Sequence, residues 1–480
     1  MRTRSGHLLA FVVLLLGGFR PADAQVTWRR TYGGFGTDEG LCVRTTSDGG
    51  ILVAGSTGSF GAGSSDFYLL RLDGNGDPLW SGVYGGPGAE TGVSCVELAD
   101  GHAIAGTTSL GQHGGYDYML VRTDQNGAPL WERHYGSTEW DLCHAMVGLP
   151  DGFLLGGITY GGGHTTGAAF FVRTDLAGDT LWTRTMATDG RSECLGLHAT
   201  PDLGAVAAGR VAADNGYDDG YVVRLDMLGD TLWTATVGGD STDLMRGVSE
   251  TASGDLVVIG ETRSYSPQAQ IHLVSLSNAG SLLWERQIGN TSDAGGTAVL
   301  TDMQGAVFTG YNTLNLGEPD MILTRTDTDG WFLSGNNYGD GDPAFGSSLD
   351  TIANGFVLAG WREGPGPGIR SVFVVRTDDQ LMTATTQVMS YTDPLPVEGP
   401  DDGQALVLHP NPITKGQYLD LGVRPGLGGE VQLVDRTGRS LHSWSSVEER
   451  LSWPDLAPGL YLVRTVDRAG RVVQGRVVAY

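Results

Sequence analysis

The sequence predicts an all-β chain, a seven-bladed β-propeller followed by a small Ig-like β-sandwich, and three observations carry that expectation. A tryptophan recurs at Trp28, Trp80, Trp131, Trp182, Trp233 and Trp284, at intervals of 52, 51, 51, 51 and 51 residues. A glycine inside a short apolar run recurs seven times, at Gly55, Gly106, Gly157, Gly209, Gly260, Gly310 and Gly360. No unit has a convincing helical period; each reads as short strands between Gly and Asp turn signals. Periods of this length mark solenoids and propellers, and the turns of a β-helix are only about half as long.

One unit sets the pattern for all. In the second copy the strands are 92–98, 102–108, 117–123 and 129–135, with Asp100-Gly101 as the first turn. The third strand ends in an Arg-x-Asp unit, at Arg71, Arg122, Arg173, Arg224, Arg325 and Arg376; only the fifth copy departs, with Ser275-Leu276-Ser277. Aspartate followed three residues later by glycine, as in Asp124 and Gly127, fits a type I turn whose first carboxylate accepts backbone N–H groups. Four strands repeated seven times close into blades around a channel and leave only short, protected edges. The strand starting near residue 92 lies nearest the axis and the tryptophan strand outermost. Two segments compete for the outer edge of the seventh blade, 26–32 at the start of the ring and 381–388 at its end.

The ends of the chain are of a different kind. Arg2 and Arg4, an apolar run over 8–16 and Ala22-Asp23-Ala24 form a secretory signal peptide over 1–24. The apolar run is too short to span a bilayer, and no later stretch is long enough. Residues 25–388 form the propeller, 389–404 an acidic, Pro-containing linker, and 405–480 a C-terminal β-domain. The formal charge of -25 falls on the propeller, since 1–24 and 405–480 carry +2 each and the linker -4. A surface that acidic repels phosphate backbones, which excludes a nucleic acid partner. Cys42, Cys95, Cys143 and Cys194 have no zinc spacing; export permits disulfides, and both two bridges and buried thiols stay open.

Two resemblances follow from motifs. Asp-x-x-Gly-x-x-Leu-Trp, at 124–131, 175–182 and 226–233, resembles the blade-docking signature of quinoprotein-type propellers. Together with Tyr32-Gly33-Gly34 and Asp48-Gly49-Gly50 it resembles more closely the uncharacterised β-propeller repeats of exported bacterial proteins. Residues 405–480 resemble the type A sorting domain of the type IX secretion system. The matching pieces are Pro410-Asn411-Pro412, the strand leading into Asp435-x-x-Gly438, the run containing Gly459 and Tyr461, and the terminal strand 476–480. That likeness implies Sec export to the periplasm, the type IX machinery as partner, and a secreted or outer-surface destination.

The candidate site residues come from the repeat. Asp38 or Glu39, Glu90, Asp141, Glu193, Asp243, Asp293 and Asp342 each lie a few residues past an outer strand and just before the next inner strand, on the loop joining consecutive blades. All such loops emerge on one face, so these carboxylates are candidates for contact with a ligand or a divalent cation such as calcium, since hard cations prefer clustered oxygens, while no cofactor is expected. The opposing reading is that each caps its own turn. The six repeat tryptophans are read as blade packing; Trp140, Trp331 and Trp361, outside that register, are better placed to stack on a ligand. His144 and His198 fall on inner strands near Cys143 and Cys194, but no catalytic constellation or cofactor motif stands out. The expectation is therefore a monomeric, non-catalytic exported protein that engages a glycan or another envelope protein. The alternative is an extracellular polysaccharide hydrolase or lyase with axial carboxylates.

Overall fold

The computed structural model describes residues 26–383 except 290, 316 and 365–367, and beyond them 388–391, 408–409, 418–421, 431–435, 440–444, 450–454, 456, 459–466 and 472–479. The segment 1–24 read as a signal peptide, most of the segment read as a linker, and Pro410-Asn411-Pro412 lie outside the described residues. Among the described residues every regular element is a strand.

The ring is a seven-bladed β-propeller. Blade 1 is Asp38–Thr45, Ile51–Thr57, Asp66–Leu72 and Pro78–Tyr84, antiparallel and in that spatial order, and blades 2 to 6 repeat it. The blade 2 strands, Glu90–Leu98, Gly101–Thr108, Asp117–Thr123 and Pro129–Tyr135, start within two residues of the sequence reading. Blade 7 takes Ala344–Ile352, Gly355–Arg362 and Ser371–Asp378 from the end of the ring and its fourth strand, Trp28–Tyr32, from the beginning. Val388–Tyr391 then pairs in parallel along the outside of Trp28–Tyr32.

Both competing segments are thus used, in different roles, and one sequence assignment changes. Leu381 is not in a strand but in a turn with φ of +63°, where other blades carry glycine, and it is held by the Tyr338 hydroxyl, which donates to its carbonyl at 2.6 Å. Among the described residues of the expected 381–388 strand, 381–383 lie outside any strand and Val388 begins one.

The seven marker glycines have a backbone cause. Every inner strand carries a β-bulge, as between Gly40 and Cys42 or Gly92 and Ser94, and the bulge presses a carbonyl against the second strand. A Cβ on Gly55 would lie 1.8 Å from the Glu39 carbonyl oxygen, on Gly106 1.9 Å from that of Thr91, and on Gly360 1.7 Å from that of Phe345. No side chain fits there.

Blades pack face to face. Leu52, Phe67, Leu69 and Trp80 of blade 1 form one buried cluster with Ile104, Met119 and Val121 of blade 2. Each such side chain contributes roughly 1.5–3 kcal/mol on burial, so the core of the ring is its set of junctions. Each repeat tryptophan lies against the turn glycine of the following blade: Trp28 on Gly76, Trp80 on Gly127, Trp131 on Gly178, Trp182 on Gly229, Trp233 on Gly280 and Trp284 on Gly330. Within a blade, the arginine of the third strand returns to the aspartate of the first turn, as in Arg71 with Asp48 at 2.5 Å and Arg224 with Asp202 at 2.7 Å.

Past the ring, Leu408–His409, Tyr418–Leu421 and Arg450–Ser452 make a three-stranded sheet, and Ser440–Trp444, Val431–Asp435, Gly459–Val466 and Val472–Ala479 a four-stranded one. Val431, Leu433, Leu451, Trp453, Tyr461, Val463 and Val477 are buried together there.

Candidate functional site

The candidate carboxylates separate into two groups. Asp38, Glu90, Asp141 and Asp243 share one repeat position, the first residue of the inner strand, and all are fully buried. Each binds the loop that leads into its strand. Asp38 accepts from the Gly34 amide at 2.8 Å and the Ser59 hydroxyl at 2.6 Å, and Glu90 from the Gly86 amide at 3.1 Å and Thr108 at 2.9 Å. Asp141 accepts from the Ser137 amide at 2.6 Å, and Asp243 from the Gly239 amide at 2.9 Å and Ser264 at 2.6 Å.

The second group sits in ion pairs. Glu39 meets Arg370 at 2.6 Å, Asp342 meets Arg362 at 2.9 Å, and Asp293 accepts from the Ala269 amide at 2.7 Å with Arg263 at 3.7 Å. Glu193 is buried between His144 Nε2 at 2.9 Å and Arg210 at 2.6 Å. Burial alone would raise its pKa, but the bonds and charges of His144 and Arg210 outweigh that and bring it to about 2.

Sequence reading missed a second set of acids that face the first across blade junctions. Asp66, Asp117 and Asp219 occupy equivalent places at the start of the third strand, opposite Thr57, Thr108 and Val211. A Cβ on Gly136 would lie 2.6 Å from Asp117 Oδ1 and 2.9 Å from Asp141 Oδ2. Gly85 lies in the same way between Asp66 and Glu90, and Gly238 between Asp219 and Asp243. Burial raises the pKa of Asp117 and Asp219, and the facing Asp141 and Asp243 raise them further. Where the third strand offers Ala168 and Ala169 instead, the next inner strand opens with Ser192, whose hydroxyl accepts the Ala169 amide at 3.0 Å. The period-51 spacing of Asp66 and Asp117 was the available signal. Among the described residues no group of three or more His, Cys, Asp or Glu side chains is arranged to hold a metal ion.

The channel is lined from the bulges. Leu41, Val93, His144, Leu195, Arg246, Thr297 and Ser347 are the extra residues of the seven inner strands, and all border one axial cavity of about 950 Å³. Arg44, Glu97, His198 and Asp350 add charge or polarity to its wall. The backbone at these seven places is the same while the side chain changes from blade to blade, so the wall is apolar on some blades and cationic or hydroxylated on others. His198 is held below the usual imidazole range by burial and by the Arg224 charge.

Three tryptophans outside the repeat register take different positions. Trp140 is 55% exposed with Tyr116 edge-on at 5.3 Å, and Trp331 is 60% exposed with Arg286 over its ring at 4.2 Å. Trp361 stacks on Phe345 at 5.8 Å and carries the Arg370 guanidinium at 3.9 Å, so its ring already has partners within the protein. In the C-terminal sheets Gly459 opens the strand Gly459–Val466, and Tyr461 is buried in that strand.

Comparison with known proteins agrees with the fold. Residues 46–78 match a family model described as a domain of unknown function (DUF5122) beta-propeller. None of the curated proteins matches the sequence. Among solved structures the chain is similar to the Neurospora crassa Pan2 WD40 domain, at 9% identity and a TM-score of 0.46 over 72% of this chain and 91% of that one. It is similar to Drosophila Semaphorin 2a at 8% identity and a TM-score of 0.47, over 94% and 97% of the two chains. It is also similar to the polysaccharide lyase Uly1, at 10% identity and a TM-score of 0.43 over 71% and 90%. At such identities and scores none of them bears on what this chain binds or does. Among the described residues no helix is long and apolar enough to cross a membrane.

Proposed function

We propose that the chain is an exported, non-catalytic binding propeller. Its signal peptide directs it to the periplasm, and residues 405–480, read as an Ig-like sorting domain, carry it through the type IX machinery to the cell surface or the medium. The observation that supports binding is the channel wall, where one repeated backbone displays seven side chains from Leu41 to Ser347 that vary by blade. A scaffold held by glycine and tryptophan contacts that displays different side chains into one lined cavity is what a ligand site requires. Its mixture of Arg44, Arg246 and His144 with Glu97, Asp350, Thr297 and Ser347 suits a hydroxyl-rich ligand, a glycan of the envelope or matrix. The carboxylates that border the axial cavity, Glu97 and Asp350, are the ones a hydrolase or lyase reading would use, and they share its wall with Arg44 and Arg246.

Two measurements test the parts separately. Fractionation of cells producing residues 1–404 is expected to leave the propeller in the periplasm; delivery to the surface or medium would remove the sorting assignment. A glycan array probed with the full-length secreted protein is expected to give hits that Arg246→Ala and His144→Ala weaken. Hits unaffected by either change would move the site away from the channel.

A further inference from the structure

The geometry points to Cys42 and Cys95 as a redox pair that closes into a disulfide between the innermost strands of blades 1 and 2. Cys42 lies on Asp38–Thr45 and Cys95 on Glu90–Leu98. Their Sγ atoms are 3.7 Å apart, and the Cys95 amide points at Cys42 Sγ from 3.4 Å. Disulfide sulfurs are about 2.0 Å apart, so closure needs a small rotation of two side chains that already face each other.

The repeat shows why the two thiols meet. In three blades the side chain of the residue after the inner-strand bulge accepts a backbone N–H from the next blade. At the junction of blades 2 and 3 it is Ser94, which accepts the Met146 amide at 3.1 Å, and between blades 7 and 1 it is Ser348, which accepts that of Val43 at 3.1 Å. Cys42 takes the place of that serine, and Cys95 the place of Val43 and Met146. The two cysteines occupy neighbouring, not equivalent, repeat positions, so the period that aligns the blades brings them together across a junction. Cys143 and Cys194 share one repeat position and point their thiols at carbonyls of their own strands, Ala145 at 3.7 Å and Gly196 at 3.5 Å.

The pair is also asymmetric in the way thiol exchange requires. The Cys95 bond, opposed by burial and helped by the Arg44 charge, lowers the Cys42 pKa to about 6, while Cys95 is pushed well above its ordinary value. Burial raises the Cys143 thiol to about 12 and takes Cys194 above its ordinary value as well. Cys42 also borders the axial cavity, which gives a small oxidant a path to it. In the reaction the Cys42 thiolate attacks one sulfur of an oxidised disulfide compound and expels the other as a thiolate. Cys95 then loses its proton, its sulfur attacks Cys42 Sγ, and the second thiolate leaves. Two protein thiols give up two protons and two electrons, and the oxidant becomes two thiols.

That the bond exists in the cell rests on the export reading, since the periplasm and medium are oxidising; that the pair can close does not. The test therefore has two arms. Full-length protein produced in a reducing cytosol is treated with glutathione disulfide, its remaining thiols are alkylated in denaturant, and the digest is analysed by mass spectrometry without reduction. The expected result is a peptide linking Cys42 to Cys95, loss of two of the four titratable thiols, and a thermal midpoint that falls on reduction. Cys42→Ser and Cys95→Val, residues the repeat itself carries at those places, are expected to fold, keep every remaining thiol and show no redox-dependent midpoint. Four free thiols after oxidation, or linkage of Cys143 to Cys194 instead, would overturn the proposal. In the second arm, secreted protein alkylated at harvest is expected to carry the same link. If the purified protein closes and the harvested protein does not, the pair stands and the export reading fails.

Discussion

Trp80 rests on Gly127. A Cβ built on that glycine would stand 2.7 Å from Trp80 Cζ3, and the glycine holds a φ of +82° that only glycine adopts without strain. The Tyr84 hydroxyl donates to the Gly127 carbonyl at 2.7 Å, so one turn of blade 2 is clamped by two aromatic rings of blade 1. Trp80 is 8% exposed, whereas Trp131 in the next junction is half-buried. Trp80→Ala is expected to cost roughly 3–5 kcal/mol, the range for a buried large aromatic, and Trp131→Ala about half as much. Chemical denaturation of both variants checks the order. Equal losses would mean that exposure does not set the contribution of these rings.

Ring closure by Trp28–Tyr32 leads to a second expectation. That strand gives blade 7 its fourth member, puts Tyr32 and Trp28 into a buried cluster with Val372 and Val374, and offers the Tyr32 hydroxyl to the Gly76 carbonyl at 2.7 Å. Removing the chain up to residue 32 uncovers the edge of Ser371–Asp378, so the ring is expected to melt at a clearly lower temperature and to dimerise or aggregate through that edge. Thermal melting and size-exclusion chromatography of the truncated chain measure both. A monomer with an unchanged midpoint would show that Val388–Tyr391 can replace the strand.

What the sequence made legible was whatever repeats in phase. Trp131 and Gly178 each stood out at a fixed spacing, as did Arg173 and the Asp151 turn, because seven copies amplify one signal. Their contacts were not legible, since Trp131 meets Gly178 in the following blade and Arg173 reaches back to Asp151 from another strand of its own blade. Asp117 was passed over because its position is acidic in only some blades, and Cys42 with Cys95 because they belong to different columns of the repeat. Burial of Asp141 could not be read either: an aspartate before a strand looks the same whether it faces solvent or its own loop.

Calcium distinguishes two uses of the candidate carboxylates. Asp141 Oδ1 and Asp243 Oδ1 are buried without a hydrogen-bond partner, while the other oxygen of each holds its loop. A hard cation would satisfy such oxygens. On the cation reading, titration of the purified protein by calorimetry gives heat at millimolar calcium that Asp141→Asn removes. No heat, with Asp141→Asn and Asp243→Asn merely less stable, leaves these residues as loop caps.

Paired buried carboxylates also set a pH dependence, and its sign follows from the direction of their shifts. Asp117 and Asp219 have pKa values raised in the folded chain by burial and by the facing Asp141 and Asp243, and Asp38, Asp66 and Glu90 are raised mainly by burial. A carboxyl whose folded pKa lies above its unfolded one binds a proton more tightly when folded, so its contribution is greatest at low pH and is lost as pH rises from the ordinary carboxylate value through the folded one. Glu193 runs the other way, for its pKa of about 2 makes a contribution that is present at neutral pH and lost in acid. Asp48, Asp202 and Glu285 are lowered as Glu193 is, and lowered carboxyls lose their contribution only below the ordinary carboxylate value, so the carboxyls together are expected to add stability as pH falls from neutral toward that value and to lose it below, with buried His102 and His198, both lowered, opposing the rise. Asp117→Asn removes one charge from its pair yet keeps an oxygen for the His113 amide, which Asp117 now accepts at 2.9 Å. It is expected to raise the thermal midpoint at neutral pH, to match the wild type near the ordinary carboxylate value, and to add nothing further when combined with Asp141→Asn, because one neutral member already relieves the pair. Thermal melts of the three proteins across that range make the comparison. A lower midpoint for Asp117→Asn at neutral pH would mean that the pair is held together by something other than a shared proton, and the calcium titration would then identify it.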